Sequence, residues 1–253
     1  MLWSELGLAA DANLNAEAWE EMMISYLRRN MEKNTNFFVL QPSTPAQYFH
    51  ALRRHVNLPF TKPSIMLTPK YLLHHKPCTS AVSDMGTGSF FRRIIDDNNA
   101  ADNTRHRGSN PTTGELLIVP PSDVKRVVMC SGQIYYKLSQ LRRARKIKNV
   151  VMVRLEQIAP FPHDKLTSVL QRYPEAEVVW AQEEPKNMGA WNFVAPRLQV
   201  ALREECKKRQ REPRRIIYVG RGASASTATA SMSIHLKETK NVLEEALTVG
   251  GLS

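Results

Sequence analysis

A chain of 253 residues that is 42% hydrophobic, 8% aromatic and 23% charged can bury a sizeable core, which excludes a disordered tail, collagen-like repeats and coiled coil. No run of about 18 uncharged apolar residues occurs. The opening MLWSELGLAADANLN has no basic region leading an apolar one, so neither a membrane span nor a signal peptide is readable. Basic residues outnumber acidic ones by 35 to 24, a net charge of +11, which raises the question of a nucleic-acid partner.

The first element predicted is a helix. Trp19, Met22, Met23, Tyr26 and Leu27 recur at helical spacing, with Glu17, Glu20 and Glu21 early and Arg28 and Arg29 late. Residues 37–40 read as a buried strand. After it Thr44 can cap, Pro45 suits the first helical position and Gln47 completes a capping box. A helix carrying Phe49, Leu52 and Val56 therefore starts at about Pro45 and ends near Asn57, Leu58 and Pro59. Residues 63–69 form a short strand bracketed by prolines. Residues 76–121 are rich in Ser, Thr, Asn, Asp, Gly and Pro, apart from an apolar cluster at 90–95. The stretch 98–114 offers almost nothing to bury and is expected to be disordered.

From Val124 the pattern alternates regularly. Strands are predicted at 127–130, 150–153, 178–180 and 216–219. Between and after them run helices striped by Ile134, Leu138 and Leu141; by Leu166, Val169, Leu170 and Tyr173; by Val194, Leu198, Ala201 and Leu202; and by Thr239, Val242, Leu243, Ala246 and Leu247. Apolar strands alternating with amphipathic helices indicate an α/β fold, a doubly wound and mostly parallel sheet covered on both faces. The charge excess lies mainly in the runs 142–148 and 207–215, where helices would end. These read as solvated helix ends, since no aromatic residues are interleaved; a nucleic-acid groove is the alternative, and nucleic acid is not an expected partner.

Ligands of such sheets meet the loops at the carboxyl ends of the strands. These are Ser131 and Gly132, residues 156–163, residues 182–191 and residues 220–226. The third carries the most chemistry, with Gln182, Glu183, Glu184, Asn187, Gly189 and Trp191. Its carboxylates could do acid/base work or cap a helix N-terminus. The small-residue run from Gly220 to Ser231 could cradle phosphate, though it matches neither GxGxxG nor GxxxxGK[ST]. His50, His74, His75, His163 and His235 show no HxxxH or HExxH spacing. Cys78, Cys130 and Cys206 are far apart and odd in number, so reduced thiols rather than disulfides or a zinc site are expected.

Several segments resemble the E1 component of 2-oxoglutarate dehydrogenase, of the thiamine-diphosphate-dependent, transketolase-like class. They are STPAQYFHALRR at 43–54, KPSIMLTPK at 62–70, RVVMCSGQIYY at 126–136, VRLEQIAPFP at 153–162, QEEPKNMGAW at 182–191, and YVGR at 218–221 with its Ala/Ser run. They run in order over about residues 36–248. The resemblance implies three parts: residues 1–70 as the end of the pyrimidine-binding α/β domain, 71–122 as a partly disordered linker, and 123–253 as the C-terminal α/β domain. It implies an enzyme that decarboxylates 2-oxoglutarate on thiamine diphosphate and succinylates the lipoyl group of E2. The Gly-Asp-Gly…Asn motif that holds Mg²⁺ and the diphosphate, the activating glutamate and the Gly-Pro-Glu-His-Ser-Ser histidine do not occur here. No catalytic, cofactor or metal ligand is therefore expected in this chain, which looks like a catalytically incomplete C-terminal portion.

The partners implied are the remainder of E1, the E1 homodimer, the E2 dihydrolipoyl succinyltransferase and E3. The location implied is the mitochondrial matrix in a eukaryote, without a readable transit peptide, and otherwise the cytoplasm. An E1 acting on 2-oxoadipate, or a non-catalytic interaction protein that reuses the domain, would share these motifs. Gln182, Glu183, Glu184 and Asn187 are expected to serve the assembled enzyme rather than domain stability. Residues 37–40 are expected to form an open strand edge that exchanges its amides quickly.

Overall fold

A computed structural model of the protein describes residues 31–98, 118–212 and 214–250. The helix expected around Trp19 to Leu27 and most of the stretch 98–114 lie outside the described residues. In chain order the elements are β1 (Phe38–Leu40), α1 (Pro45–Val56), β2 (Ser64–Met66), β3 (Ile94–Asp96), β4 (Arg126–Cys130), α2 (Ile134–Ala144), β5 (Val150–Leu155), β6 (Gln157–Ala159), α3 (His163–Arg172), β7 (Glu177–Pro185), α4 (Trp191–Lys208), β8 (Ile216–Arg221) and α5 (Met232–Leu247).

Five strands form one sheet in the order β3-β5-β4-β7-β8, with every pairing parallel except that of β3 with β5. The alternation of side chains across a strand explains why apolar runs are needed here. Val127, Met129, Val151, Val153, Val178 and Trp180 pack with Leu166 and Leu170 of α3 and Leu198 and Leu202 of α4. Their neighbours Val128, Cys130, Val150, Met152, Val179 and Ala181 pack with Ile134 and Leu138 of α2 and Val242 and Ala246 of α5 on the other face. Each such side chain contributes about 1.5–3 kcal/mol by leaving water. The predicted stripes of α2, α3, α4 and α5 all face this sheet, and the doubly wound α/β reading stands.

A second sheet has the order β2-β1-β6, with β1 parallel to β2 and antiparallel to β6. This corrects the expectation of an open edge at residues 37–40. The backbone of β1 is paired on both sides, Phe38 and Leu40 are buried, and among the described residues the open edge is β2, where Ile65 is half exposed. Strand β6 leaves β5 after Glu156 alone, so the first segment is sewn to the parallel sheet. Strand β3, in the stretch read as a linker, closes the other sheet's edge with Phe91, Ile94 and Ile95 buried.

Helix α1 begins as read, with Thr44 Oγ1 accepting the Gln47 amide at 3.2 Å and Pro45 in the first turn. Gln47 does not complete a capping box. Its side chain instead donates to the Arg92 carbonyl (2.5 Å) and accepts from the Arg92 amide (3.1 Å), pinning the chain that leads into β3. The stripe of Phe49, Leu52 and Val56 is exposed, and the buried side of α1 is Ala46, Gln47, His50 and Ala51.

The basic runs do fall at the ends of α2 and α4, but the picture of solvated charge needs correction. Arg142 is fully buried against Asp97 (2.8 Å) and donates to the Val150 carbonyl. Arg214 reaches Glu205 (3.0 Å) and the carbonyls of Tyr173 and Ala176. A buried carboxylate needs such partners, because an unpaired one costs several kcal/mol. The three cysteines are free thiols, as read.

Asp96 makes the fold sensitive to pH. It is 1% exposed, accepts the Tyr173 hydroxyl (2.8 Å) and faces Arg172 (2.8 Å). Burial nevertheless pushes its carboxyl up to about 6. A carboxyl raised above its unfolded value near 4 stabilises the fold below about pH 4, and this contribution is lost as pH rises through about 6. We expect Asp96→Asn to remove a slope worth about 3 kcal/mol across that window. Urea denaturation of both proteins at pH 4 and pH 7 checks it; profiles that stay parallel would contradict it.

Candidate functional site

In the large sheet the chain passes from β4 to β5 on one side and then returns to β7 on the other. The loops after β4 and β7 therefore part at one place, and the crevice beyond the carboxyl ends of these strands is where open α/β sheets bind ligands. Strand β7 projects into this crevice. Gln182, Glu183 and Glu184 were expected in a loop, but the strand runs on to Pro185, which pairs with Arg221 past an irregularity after Ala181. The Lys186 amide donates to the Arg221 carbonyl at 3.1 Å and extends that pairing.

Gln182 is buried and organises the turn that follows. Its Oε1 accepts from Trp180 Nε1 (3.0 Å) and from the Trp191 amide (3.1 Å). Its Nε2 donates to the carbonyls of Glu184 (3.3 Å), Pro185 (3.1 Å) and Met188 (2.8 Å). Gly189 has φ +66°, and a Cβ there would lie 3.0 Å from Glu184 Cβ and 3.1 Å from Gln182 Nε2, so the turn requires glycine. Asn187 clasps the neighbouring loop, donating to the Ser224 carbonyl (2.9 Å) and accepting the Ser224 amide (3.0 Å). Trp191 opens α4 with its ring 4.9 Å from that of Tyr218.

Glu183 points to the other side. It accepts from Gln133 Nε2 (2.8 Å) and is ion-paired with Lys137, both on the first turns of α2 or just before it. Such a partly exposed pair is worth up to about 1 kcal/mol. Glu184 is exposed. Together with Gln133, Lys137, Arg221 and His235, the two glutamates line a cleft of roughly 570 Å³ between β7, β8 and α5. Arg221 is itself paired with Glu238 at 2.9 Å, and Thr229 donates to the same carboxylate at 2.7 Å.

Thus the structure brings all six sequence-selected residues to one end of the sheet, in two groups. Gln182, Asn187, Gly189 and Trp191 build the turn, whereas Glu183 and Glu184 face the cleft. The partners Gln133, Lys137 and Ser224 were missed. The i, i+4 spacing of Gln133 and Lys137 at the start of the helix after β4 was the available signal. The phosphate-cradle reading of the small-residue run loses support, because the Ser224 amide is taken by Asn187 and the Ser226 amide by Ser224 Oγ (3.1 Å). His50 is buried, with Nε2 at 2.8 Å from the Asp84 carbonyl.

A second cluster, not foreseen as such, joins the two sheets. The buried Glu156 accepts from the Ser43 amide (2.7 Å) and hydroxyl, and Arg154 Nη1 lies 2.7 Å from the same hydroxyl. Tyr136 donates to the Ser43 carbonyl (2.6 Å), and the Arg154 guanidinium sits 4.1 Å from the centre of the Tyr135 ring. Burial raises the Glu156 carboxyl above its usual range, against the downward pull of Arg154 and Ser43.

Thiamine diphosphate with Mg²⁺, which the resemblance implies, does not fit the described residues. Among them no three His, Cys, Asp or Glu side chains converge into a metal-binding group, and the cations lining the cleft are matched by carboxylates. No helix among the described residues is long and apolar enough to cross a membrane.

Residues 79–247 match the family described as 2-oxoglutarate dehydrogenase C-terminal, a span that takes in β3 and ends with the last residue of α5. The chain belongs to this family. It is 42% identical over 212 residues to the 2-oxoglutarate dehydrogenase E1 component of Brucella anthropi, and equally to those of Brucella ovis and Brucella canis. In each case the match covers 84% of this chain and 20% of the relative. The chain therefore spans about a fifth of the length of the curated relatives it matches, and it corresponds to a C-terminal portion of such an E1.

Proposed function

We propose that this chain is the C-terminal support of a 2-oxoglutarate dehydrogenase E1 subunit, presenting the carboxyl edge of its parallel sheet to the remainder of E1. Thiamine diphosphate, Mg²⁺ and the decarboxylation of 2-oxoglutarate then belong to residues outside those described. The E1 homodimer, the E2 succinyltransferase and E3 are its proposed partners; the mitochondrial matrix, or the cytoplasm in a prokaryote, is its proposed location. The family match carries this reading, since it covers the whole five-stranded sheet and its four helices. The hydrogen bonding of the sheet's edge supports it: Gln182 and Asn187 spend their amides on shaping one turn rather than on reaching a substrate.

A chimera tests the proposal. Residues 36–248 would replace the matching region of the Brucella anthropi E1. The chimera should retain turnover on 2-oxoglutarate, with the preference over 2-oxoadipate following the host, and the isolated chain should show no saturable binding of thiamine diphosphate with Mg²⁺ by calorimetry. A folded but inactive chimera, or micromolar binding by the isolated chain, would overturn it.

A further inference from the structure

Residues 33–83 contain no Asp or Glu, although the chain has 24 of them, and they carry Lys33, Arg53, Arg54, Lys62, Lys70 and Lys76. A surface built from such a stretch has one sign of charge, and a concave part of it gathers anions. That concave part follows β2. The chain passes through one 3₁₀ turn, Lys70–Leu73, and Lys70, Tyr71, His74, His75, Lys76 and Pro77 surround an open depression of about 600 Å³. Lys70, His74 and Lys76 are exposed and His75 is half-buried. Among the described residues no carboxylate pairs with any of these four bases, whereas Lys137 and Arg221 of the cleft are both paired.

The turn that presents these bases is held in place. Leu72 packs against the core on the α2 and α5 side of the large sheet. The His75 ring lies 4.8 Å from that of Tyr71 and 5.0 Å from that of Tyr136. The His74 amide donates to the Tyr71 carbonyl (3.2 Å) and the Cys78 amide to the His75 carbonyl (2.8 Å). Less ordering is then left to a ligand that gathers the bases. The place suits a ligand too. Strands β1 and β2 are parallel, and the turn follows the carboxyl end of β2, the edge at which parallel strands meet their ligands. Tyr136 stands in the first turn of α2, and a Cβ on Gly132 would lie 2.3 Å from Gln41 Nε2, so the loops after β1, β2 and β4 gather on one side.

Donor type narrows the ligand. No arginine lines the depression. A guanidinium fork matches a planar carboxylate, whereas ammonium and imidazole groups are point donors that approach from separate directions, as a tetrahedral dianion requires. We propose that residues 70–76 bind the phosphoryl group of a small molecule, with its oxygens between Lys70, His74 and Lys76 and the exposed Tyr71 ring bordering the space for the rest of the ligand. A diphosphate chelated by Mg²⁺ turns its oxygens to the metal and is not such a ligand. The site needs this chain alone, so its test is separate from that of the support role proposed above.

Imidazole NMR signals of the full chain, titrated with inorganic phosphate at neutral pH and a constant ionic strength of about 0.15 M, test this. The signals of His74 and His75 should move saturably, while those of His163 and His235 stay in place. Lys70→Gln combined with Lys76→Gln should weaken phosphate binding at least about tenfold. Lys62→Gln, the same kind of charge change at the other end of β2, should leave the affinity within about twofold. If the double variant loses its fold, His74→Gln, a single exposed change, carries the test and should weaken binding at least about threefold. No saturable movement in the wild type, a loss in Lys62→Gln equal to that in the double variant, full affinity in His74→Gln, or a response to succinate as strong as that to phosphate would each overturn the proposal.

Discussion

Replacing Arg154 with methionine should destabilise the chain by about 3–5 kcal/mol, the cost of removing one partner from a buried charged cluster. Arg154 and Glu156 are both fully buried and both meet Ser43, so loss of the guanidinium leaves a carboxylate without a counter-charge where burial already disfavours it. Replacing the cluster as a whole costs less than breaking it. Arg154→Met combined with Glu156→Gln should therefore recover part of the loss, with a coupling of about 1–3 kcal/mol in a double-mutant cycle. Strictly additive losses would mean that the two charges do not sense each other and that the junction is held by packing alone. Because Ser43 precedes α1 and Arg154 lies in β5, the single variant should also loosen β1 and β6 before the parallel sheet; amide exchange resolved by segment reads this order.

The parts of the fold that were legible in the sequence share one property. Strands β4, β5, β7 and β8 are flanked by helices on both faces, so their apolar runs are continuous, and the stripes of α2 to α5 point at them unambiguously. What escaped depends on pairing between distant residues. Strand β6 is three residues long with Ile158 as its one large apolar side chain, and nothing local announces that it pairs with β1. Ser43 and Glu156 stand 113 residues apart and meet only in three dimensions. Arg142 sits among the cations of a helix end, and only the placement of Asp97 beside β5 reveals that it turns inward. At the sheet's edge the residue types of the candidate site were legible, but their division of labour was not. Gln182 and Glu183 are neighbours in a strand and so point to opposite faces, one into the turn and the other to the cleft.

That division gives the second large effect. Gln182→Leu should cost about 3 kcal/mol, because a leucine of similar size leaves the buried Trp180 Nε1 and the Trp191 amide without the acceptor they share. It also releases the carbonyls of Pro185 and Met188, so the turn before α4 should open and Asn187 should lose its hold on Ser224. Glu184→Gln removes an exposed carboxylate at the mouth of the cleft and should leave the denaturation midpoint unchanged within about 0.5 kcal/mol. The expectation that Gln182 and Glu184 serve the assembled enzyme alike thus divides. In the chimeric E1, Gln182→Leu should lower turnover in proportion to the fraction unfolded, and stabilising solutes should restore it. Glu184→Gln should lower turnover, if at all, without any change in stability and without such rescue. If Gln182→Leu leaves the midpoint in place while turnover falls, Gln182 acts on a partner rather than on the turn, and the structural role given to it here fails.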